Sequence, residues 1–357
     1  ILAQETARES CDTLVGMHGV PPSAPTLRWL YEACFFSSAI AIGFHTAPDQ
    51  SWSEAVSGAL LVIAWLIMNG GSPLGWLAVV GTMCVTEDQW TQFGSNIVGR
   101  CGDVYSGMSG WTLGLIGYVI FIVTYVVHGL AMLPFDVYPI FKAWARDYKI
   151  QPGIHMATKQ TGKLVKTLAV NCVVVLIVLL AMTMEVVWSE GKRGFRIEVL
   201  DQRWLLPSRQ EQLICFVVGL LWNEFMFYYS HRLMHHPKLY GKFHKQHHEF
   251  TAPFALAAIY CGPLEMVVSN LWPFLGIVSV YRFHVFFTYC WVLNAVMGTQ
   301  VHHSGHKWPW MTMFDHQPHV HDLHHKYFNC NYGNIGILDK LHGTEKDESP
   351  SERSKSN

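Results

Sequence analysis

Between Lys166 and Trp188 the chain is apolar, with VVVLIVLLAMTM at its centre, a length and composition that fit one membrane-crossing helix. Trp111–Leu133 is a second run of about the twenty residues that a crossing needs. Leu213–Tyr229 is a third, and residues 263–300 hold apolar length for a hairpin turning at Tyr281-Arg282. Residues 55–86 are broken by Asn69-Gly70-Gly71-Ser72-Pro73 and read as one kinked helix or a shallow hairpin. Trp29–His45 is apolar but short for a crossing. Residues 1–28, with Pro21, Pro22 and Pro25, read as a flexible or surface-lying lead, and the polar, Gly-rich residues 88–109 as a loop.

Composition supports a membrane setting. Hydrophobic residues make up 50% and charged residues 14%, the latter against about a quarter in soluble domains. The 14 Trp and 20 Phe suit contact with lipid and its interface. A formal net charge of −1 and the lack of a basic block argue against nucleic-acid binding. The 9 Cys form no CxxC pair and read as small buried hydrophobes. The expected fold is an all-α integral membrane protein, a transmembrane helical bundle capped by a cytosolic histidine-rich helical metal domain. It divides into an N-terminal extension with membrane-embedded apolar segments (1–109), a transmembrane hairpin with loops (110–210), a histidine-box catalytic domain with a membrane hairpin (211–345) and a flexible tail (346–357).

Sidedness follows from counting crossings. The 134–165 loop, with Lys142, Arg146, Lys149, Lys159 and Lys163, shares a side with the histidines, and the positive-inside tendency makes that side cytosolic. The opposite loop, 189–210, also carries five basic residues: Lys192, Arg193, Arg196, Arg203 and Arg209.

Of 20 histidines, 16 fall between His231 and His342. Helical spacing puts His231 and His235 on one face, with Tyr228 and Glu224 on the same stripe. A carboxylate there is expected to accept a ligand histidine's ring N–H or to bind metal itself. His244-Lys-Gln-His247-His248 and His321-Asp-Leu-His324-His325 repeat one HxxHH spacing, and His302-His303-Ser304-Gly305-His306 precedes the latter. A single tetrahedral zinc saturates at four ligands, so this surplus of imidazoles points to two metals. Imidazole suits iron, zinc, copper and nickel alike. His18, His45, His128, His155 and His284 read as structural, and His236, His316, His319 and His342 as neighbours of the site. His231-Arg-Leu-Met-His235 lacks the Glu of a zinc peptidase's HExxH.

These boxes, with HRLMHHPKLYGKFHKQHHEFTAPFALAAIYCGPLE and HDLHHKYFNCNYGNIGILDKLHGT, resemble the fatty acid hydroxylase and sterol desaturase superfamily over about residues 200–345. They look like the branch holding C4-methylsterol oxidase and the fatty acid hydroxylase domain-containing proteins. The resemblance implies a non-haem di-iron monooxygenase of the endoplasmic reticulum membrane. It would use O2, with electrons from cytochrome b5 or an NAD(P)H-dependent reductase. It places the metal ligands on His231, His235, His244, His247, His248, His303, His321, His324 and His325, and the family's box aspartate on Asp322. The family's Gly-Tyr is Gly305-His306 here, which makes His306 a candidate extra ligand. No HPGG haem segment occurs, so a separate cytochrome b5 is expected. Iron is the expected ion, with zinc a substitute in overexpressed protein.

The expected substrate is a membrane lipid, foremost a sterol oxidised at a C4-methyl group. Fatty-acyl, sphingolipid or alkylglycerol hydroxylation or desaturation is the first alternative, and a non-catalytic metal-binding scaffold the second. Phe254, Tyr260, Trp272, Phe286 and Trp291 are expected to line the lipid's passage or to anchor the interface.

Overall fold

The computed structural model describes residues 25–47, 51–153, 160–308 and 317–347. The lead up to residue 24, His18, His155, Lys159, His316 and the tail from residue 348 lie outside the described residues.

The described chain is nearly all helix: α1 (Pro25–His45), α2 (Trp52–Met68), α3 (Pro73–Met83), α4 (Glu87–Cys101), α5 (Gly107–Met132), α6 (Thr161–Trp188), α7 (Arg209–Met234), α8 (Pro237–Phe243), α9 (Pro263–Val280), α10 (Val285–His302), α11 (His319–Tyr327) and α12 (Ile337–His342). One two-stranded ribbon, Val199–Leu200 with Arg203–Trp204, lies between α6 and α7. Among the described residues, four helices are long and apolar enough to cross a membrane: α5 with its continuation to Val137, α6, α7 and α9. Helix suits that setting because its backbone bonds are satisfied within the segment.

Helix starts follow their caps. Ser51, Ser72, Ser106 and Ser208 each accept the backbone N–H three residues on, a bond that satisfies a donor the helix leaves open. The break at 69–73 makes a hairpin, with Gly70 and Gly71 at φ of 69° and 61° and Pro73 opening α3. The buried Asn69 amide donates to Asn294 on α10 at 3.0 Å, which ties the turn to the centre of the bundle.

Residues 88–109 correct the loop expectation. Most of that stretch is α4, opened by a reciprocal capping box between Thr86 and Gln89. Gly94 there is a packing requirement. A Cβ on it would lie 2.1 Å from the Trp204 ring.

Residues 263–300 form the expected hairpin. Arg282 at its turn donates to the Gly191 carbonyl, and Arg196 exchanges backbone bonds of 2.8 Å with Phe283 and Val285. The turn therefore meets the α6–α7 loop. At the other end, Ile150 N–H donates to the Gly305 carbonyl and Lys307 N–H to the Tyr148 carbonyl. The loop after α5 thus packs beside the histidine end of α10. Within α9, Met266–Leu271 forms a π turn, with the Trp272 N–H bonding Val267 O five residues back. Pro273, which has no N–H to give, follows directly.

Candidate metal centre

Four pieces of chain deliver the histidines. The end of α7 carries His231 and, as its C-cap, His235; His244 caps α8; His247 and His248 follow in a 3-10 turn. His303 caps α10, and α11 supplies His321, His324 and His325.

The nine expected ligands fall into two groups, His231, His235, His244, His248 and His324 in one and His247, His303, His321 and His325 in the other. In each, one nitrogen per ring lies within 4.8 Å of all the others. All are buried except His235, which is partly exposed.

The outer nitrogens explain which face of each ring turns inward. His231 Nδ1 donates to the Tyr332 carbonyl (2.9 Å), His303 to Thr299 (2.8 Å), His324 to Cys330 (2.7 Å) and His325 to Phe250 (3.0 Å). His244 Nδ1 donates to Glu265 Oε1 at 2.6 Å. A carbonyl or carboxylate oxygen only accepts, so these five rings carry their proton on Nδ1 and present a bare Nε2. The Nε2 atoms of His244, His303, His324 and His325 face other imidazole nitrogens at 2.9–3.3 Å. His248 Nε2 alone has three such neighbours, more than one ring N–H serves.

Lone pairs gathered this closely repel unless a cation sits among them. Metal–imidazole bonds of about 2.0–2.1 Å bring neighbouring ligand nitrogens to such separations. The donor set fits two borderline first-row ions, one per group.

Burial first, and neighbouring imidazoles second, hold His235, His244, His247 and His248 well below the ordinary histidine range. His321, His324 and His325 are lowered in the same way. The rings stay neutral at physiological pH, which is the form that ligates.

Three residues expected at the site have other partners. Glu224 reaches no ligand ring. Its carboxylate accepts the N–H groups of Asn334, Ile335 and Leu338 at 2.8–3.0 Å. His306 stacks on Trp308 and bonds the Ser304 carbonyl, outside both groups. Asp322 accepts from the Gln151 amide at 2.7 Å.

Two carboxylates matter that the sequence did not single out. Asp339 accepts the N–H groups of Tyr332 and Gly333 at 2.8 and 2.6 Å. With Glu224 it fixes the loop whose carbonyls orient His231 and His324. Gly333 leaves room for both, since a Cβ would lie 2.8 Å from Asp339 and 2.9 Å from Glu224. Glu265 is the other, and a carboxylate inside an apolar run was its only signal.

An apolar cavity lies between α5, α6, α9 and α10, lined by residues such as Tyr125, Leu179, Met266, Leu275, Trp291 and Ala295. Asn270, Phe274 and Thr299 line both this cavity and a chamber walled by His231, His244, His247, His303 and His321. Of the five aromatic residues proposed for the passage, Trp291 lines the cavity. Phe254 and Tyr260 pack with Phe250, Phe286 packs on Trp90, and Trp272 is half exposed.

Known proteins are similar to this chain over the region that carries the histidines. The family model described as Fatty acid hydroxylase matches residues 216–344. A putative methylsterol monooxygenase of Dictyostelium discoideum is 30% identical over 238 residues, 64% of this chain and 84% of that protein. The chain belongs to the fatty acid hydroxylase family.

Fatty acid hydroxylase domain-containing protein 2 of Macaca fascicularis is 41% identical over 140 residues, 39% of this chain and 41% of that protein. A fatty acid hydroxylase of Mycosarcoma maydis is 35% identical over 205 residues, 57% of this chain and 50% of its own length. The chain thus spans half or less of these two relatives. No solved structure matches. Family membership, four apolar helices and two histidine groups together describe a membrane protein of an oxygenase family with a metal-binding core.

Proposed function

We propose that this member of the fatty acid hydroxylase family is a non-haem di-iron monooxygenase that hydroxylates a C–H bond of a membrane lipid. Its favoured substrate is a sterol C4-methyl group. The observation that carries this reading is the pair of neutral imidazole groups at the end of an apolar cavity. An unactivated alkyl C–H is beyond the reach of any side-chain base, and iron held by the two groups would supply the one-electron and oxygen chemistry that the protein lacks. The reaction balances as R–H + O2 + two electrons + two protons giving R–OH + H2O. The electrons come from cytochrome b5 or an NAD(P)H-dependent reductase.

The chain's own work is to hold and to exclude. Nine histidines supply the ligand nitrogens. The carbonyls of Tyr332, Thr299, Cys330 and Phe250, with Glu265, fix five of the rings. The apolar walls seat the lipid's body and keep water from the chamber. Residues 211–345 form the catalytic part, 1–109 the membrane-embedded extension and 110–210 the transmembrane hairpin. The histidine side faces the cytosol from the endoplasmic reticulum membrane, a placement supported by the lysine-bearing loop packed beside α10.

The descriptions of the family and of the Mycosarcoma maydis relative favour a second reading, a fatty-acyl, sphingolipid or alkylglycerol hydroxylase or desaturase. An untargeted lipid comparison between cells bearing this chain and cells bearing His324→Ala separates the two. Sterol acids support the first, and hydroxylated or unsaturated acyl chains the second. Metal binding without substrate-dependent O2 uptake would leave a non-catalytic scaffold. Cysteine probes near Lys242 and Lys326 should label from the cytosol, and labelling from opposite faces would sink the shared site.

A further inference from the structure

The π turn in α9 and the Glu265 before it leave polar atoms at the histidine chamber that hold no ligand ring. Ser269 is 2% exposed, lines the chamber, and its hydroxyl has no hydrogen-bond partner among the described residues. In an ordinary α-helix a buried serine commonly bonds the carbonyl four residues back. Here the widened turn breaks that register.

Glu265, four residues earlier and also 2% exposed, bonds His244 through Oε1. Its Oε2 has no partner among the described residues, and Glu265 too lines the chamber. Asn270 stands at the neck between cavity and chamber. Its amide nitrogen makes only long contacts, 3.5 Å to the Glu265 carbonyl and 3.8 Å to Cys261 Sγ. Ser269 Oγ and Glu265 Oε2 are thus buried polar atoms left unsatisfied among the described residues, which is costly in a membrane helix. Their common aim into one chamber therefore asks for a ligand.

On the reading of the chamber as the place where a lipid C–H is oxidised, we propose that Glu265, Ser269 and Asn270 form a polar grip for the hydroxyl group on the oxidised carbon. The lipid's body fills the apolar cavity, so only the reacting carbon passes the neck, and the oxygen added to it lands among these three side chains. The new hydroxyl donates to Glu265 Oε2 and accepts from the Ser269 hydroxyl, while the Asn270 amide closes the neck side. The unoxidised methyl or methylene offers them nothing. The site is consequently specific for alcohol over parent lipid, and Ser269 and Asn270 are positioning residues that retain the oxygenated lipid.

The experiment is a binding titration on the purified full chain in detergent, read by thermal unfolding, with two matched probe pairs. One pair is cetyl alcohol and cetyl fluoride; the other is a C4-hydroxymethyl sterol and its C4-methyl parent. The alcohol of at least one pair should bind about tenfold more tightly than its partner, the effect of one net hydrogen bond at a buried site. Ser269→Ala should erase most of that ratio, Asn270→Leu should reduce it, and Ser269→Thr should keep it, with metal content unchanged in all three. The ratio is the readout because a merely structural role would weaken both members of a pair equally. Equal binding of both members in every pair that binds overturns the grip and leaves the lipid reading standing. Failure of all four probes to bind overturns the grip together with the lipid-cavity reading.

Discussion

Helices α6 and α11 bury opposite chemistries. Of the four spanning helices, α6 is the most apolar and the least buried, with Val165, Val170, Val173 and Ile177 turned outward. In contrast, α11 reads HVHDLHHKY, yet His321, Asp322, His324 and His325 are all 5% exposed or less. In water this pattern would be unstable at both places. It makes sense when the surroundings of α6 are lipid and the neighbours of α11 include cations. The lesson is that burial follows what lies on the other side of the contact. Even in α6 the buried Asn171 amide nitrogen has partners, donating to the carbonyls of Ile259 and Cys261 at 2.8 and 2.9 Å.

The contrast breaks most completely at α11. His324→Ala should take turnover to background and empty the five-histidine group, read by activity and by metal analysis. Retained metal and activity would make α11 an ordinary buried helix. Next comes α6, where Val173→Asp should cost roughly 2.5–3.5 kcal/mol of membrane insertion while Val173→Leu costs almost nothing. Glycosylation-tag reporters of insertion measure the difference, and equal insertion would mean that this face does not meet lipid.

The two carboxylates sharpen the picture around α11. Glu265→Gln should weaken metal binding by about tenfold, the lower end for a ligand's hydrogen-bond partner, because an amide oxygen still accepts from His244. Glu224→Gln should act on stability instead, costing about 1 kcal/mol through the three backbone N–H groups that it holds. Chelator competition and thermal unfolding separate these outcomes. A larger metal effect from Glu224 than from Glu265 would reverse their roles.

Local pattern made much of this legible. The HxxxH and HxxHH spacings marked eight of the histidines in the two groups, the family resemblance added His303, and run length marked the 263–300 hairpin, because periodicity and run length are written in consecutive residues. What failed needed partners distant in the chain. Residues 88–109 read as a loop because they are polar and Gly-rich, whereas the missing side chain of Gly94 makes room for Trp204. Glu224 sits on the His231 stripe, and nothing in the sequence says that the 334–338 backbone arrives first. His306, a candidate extra ligand by its place after Gly305, instead has its ring stacked on Trp308. The π turn had no visible signature beyond a proline at its end.

The nine histidines of the two groups are proposed to hold two metal ions in one chain. The most direct test is elemental analysis of purified, active full-length chain, expressed with iron and quantified against amino-acid content. Two first-row ions per chain are expected, iron in the active form, with zinc replacing iron in overexpressed, inactive samples. One ion per chain, or none, in a sample that turns over substrate would contradict this proposal.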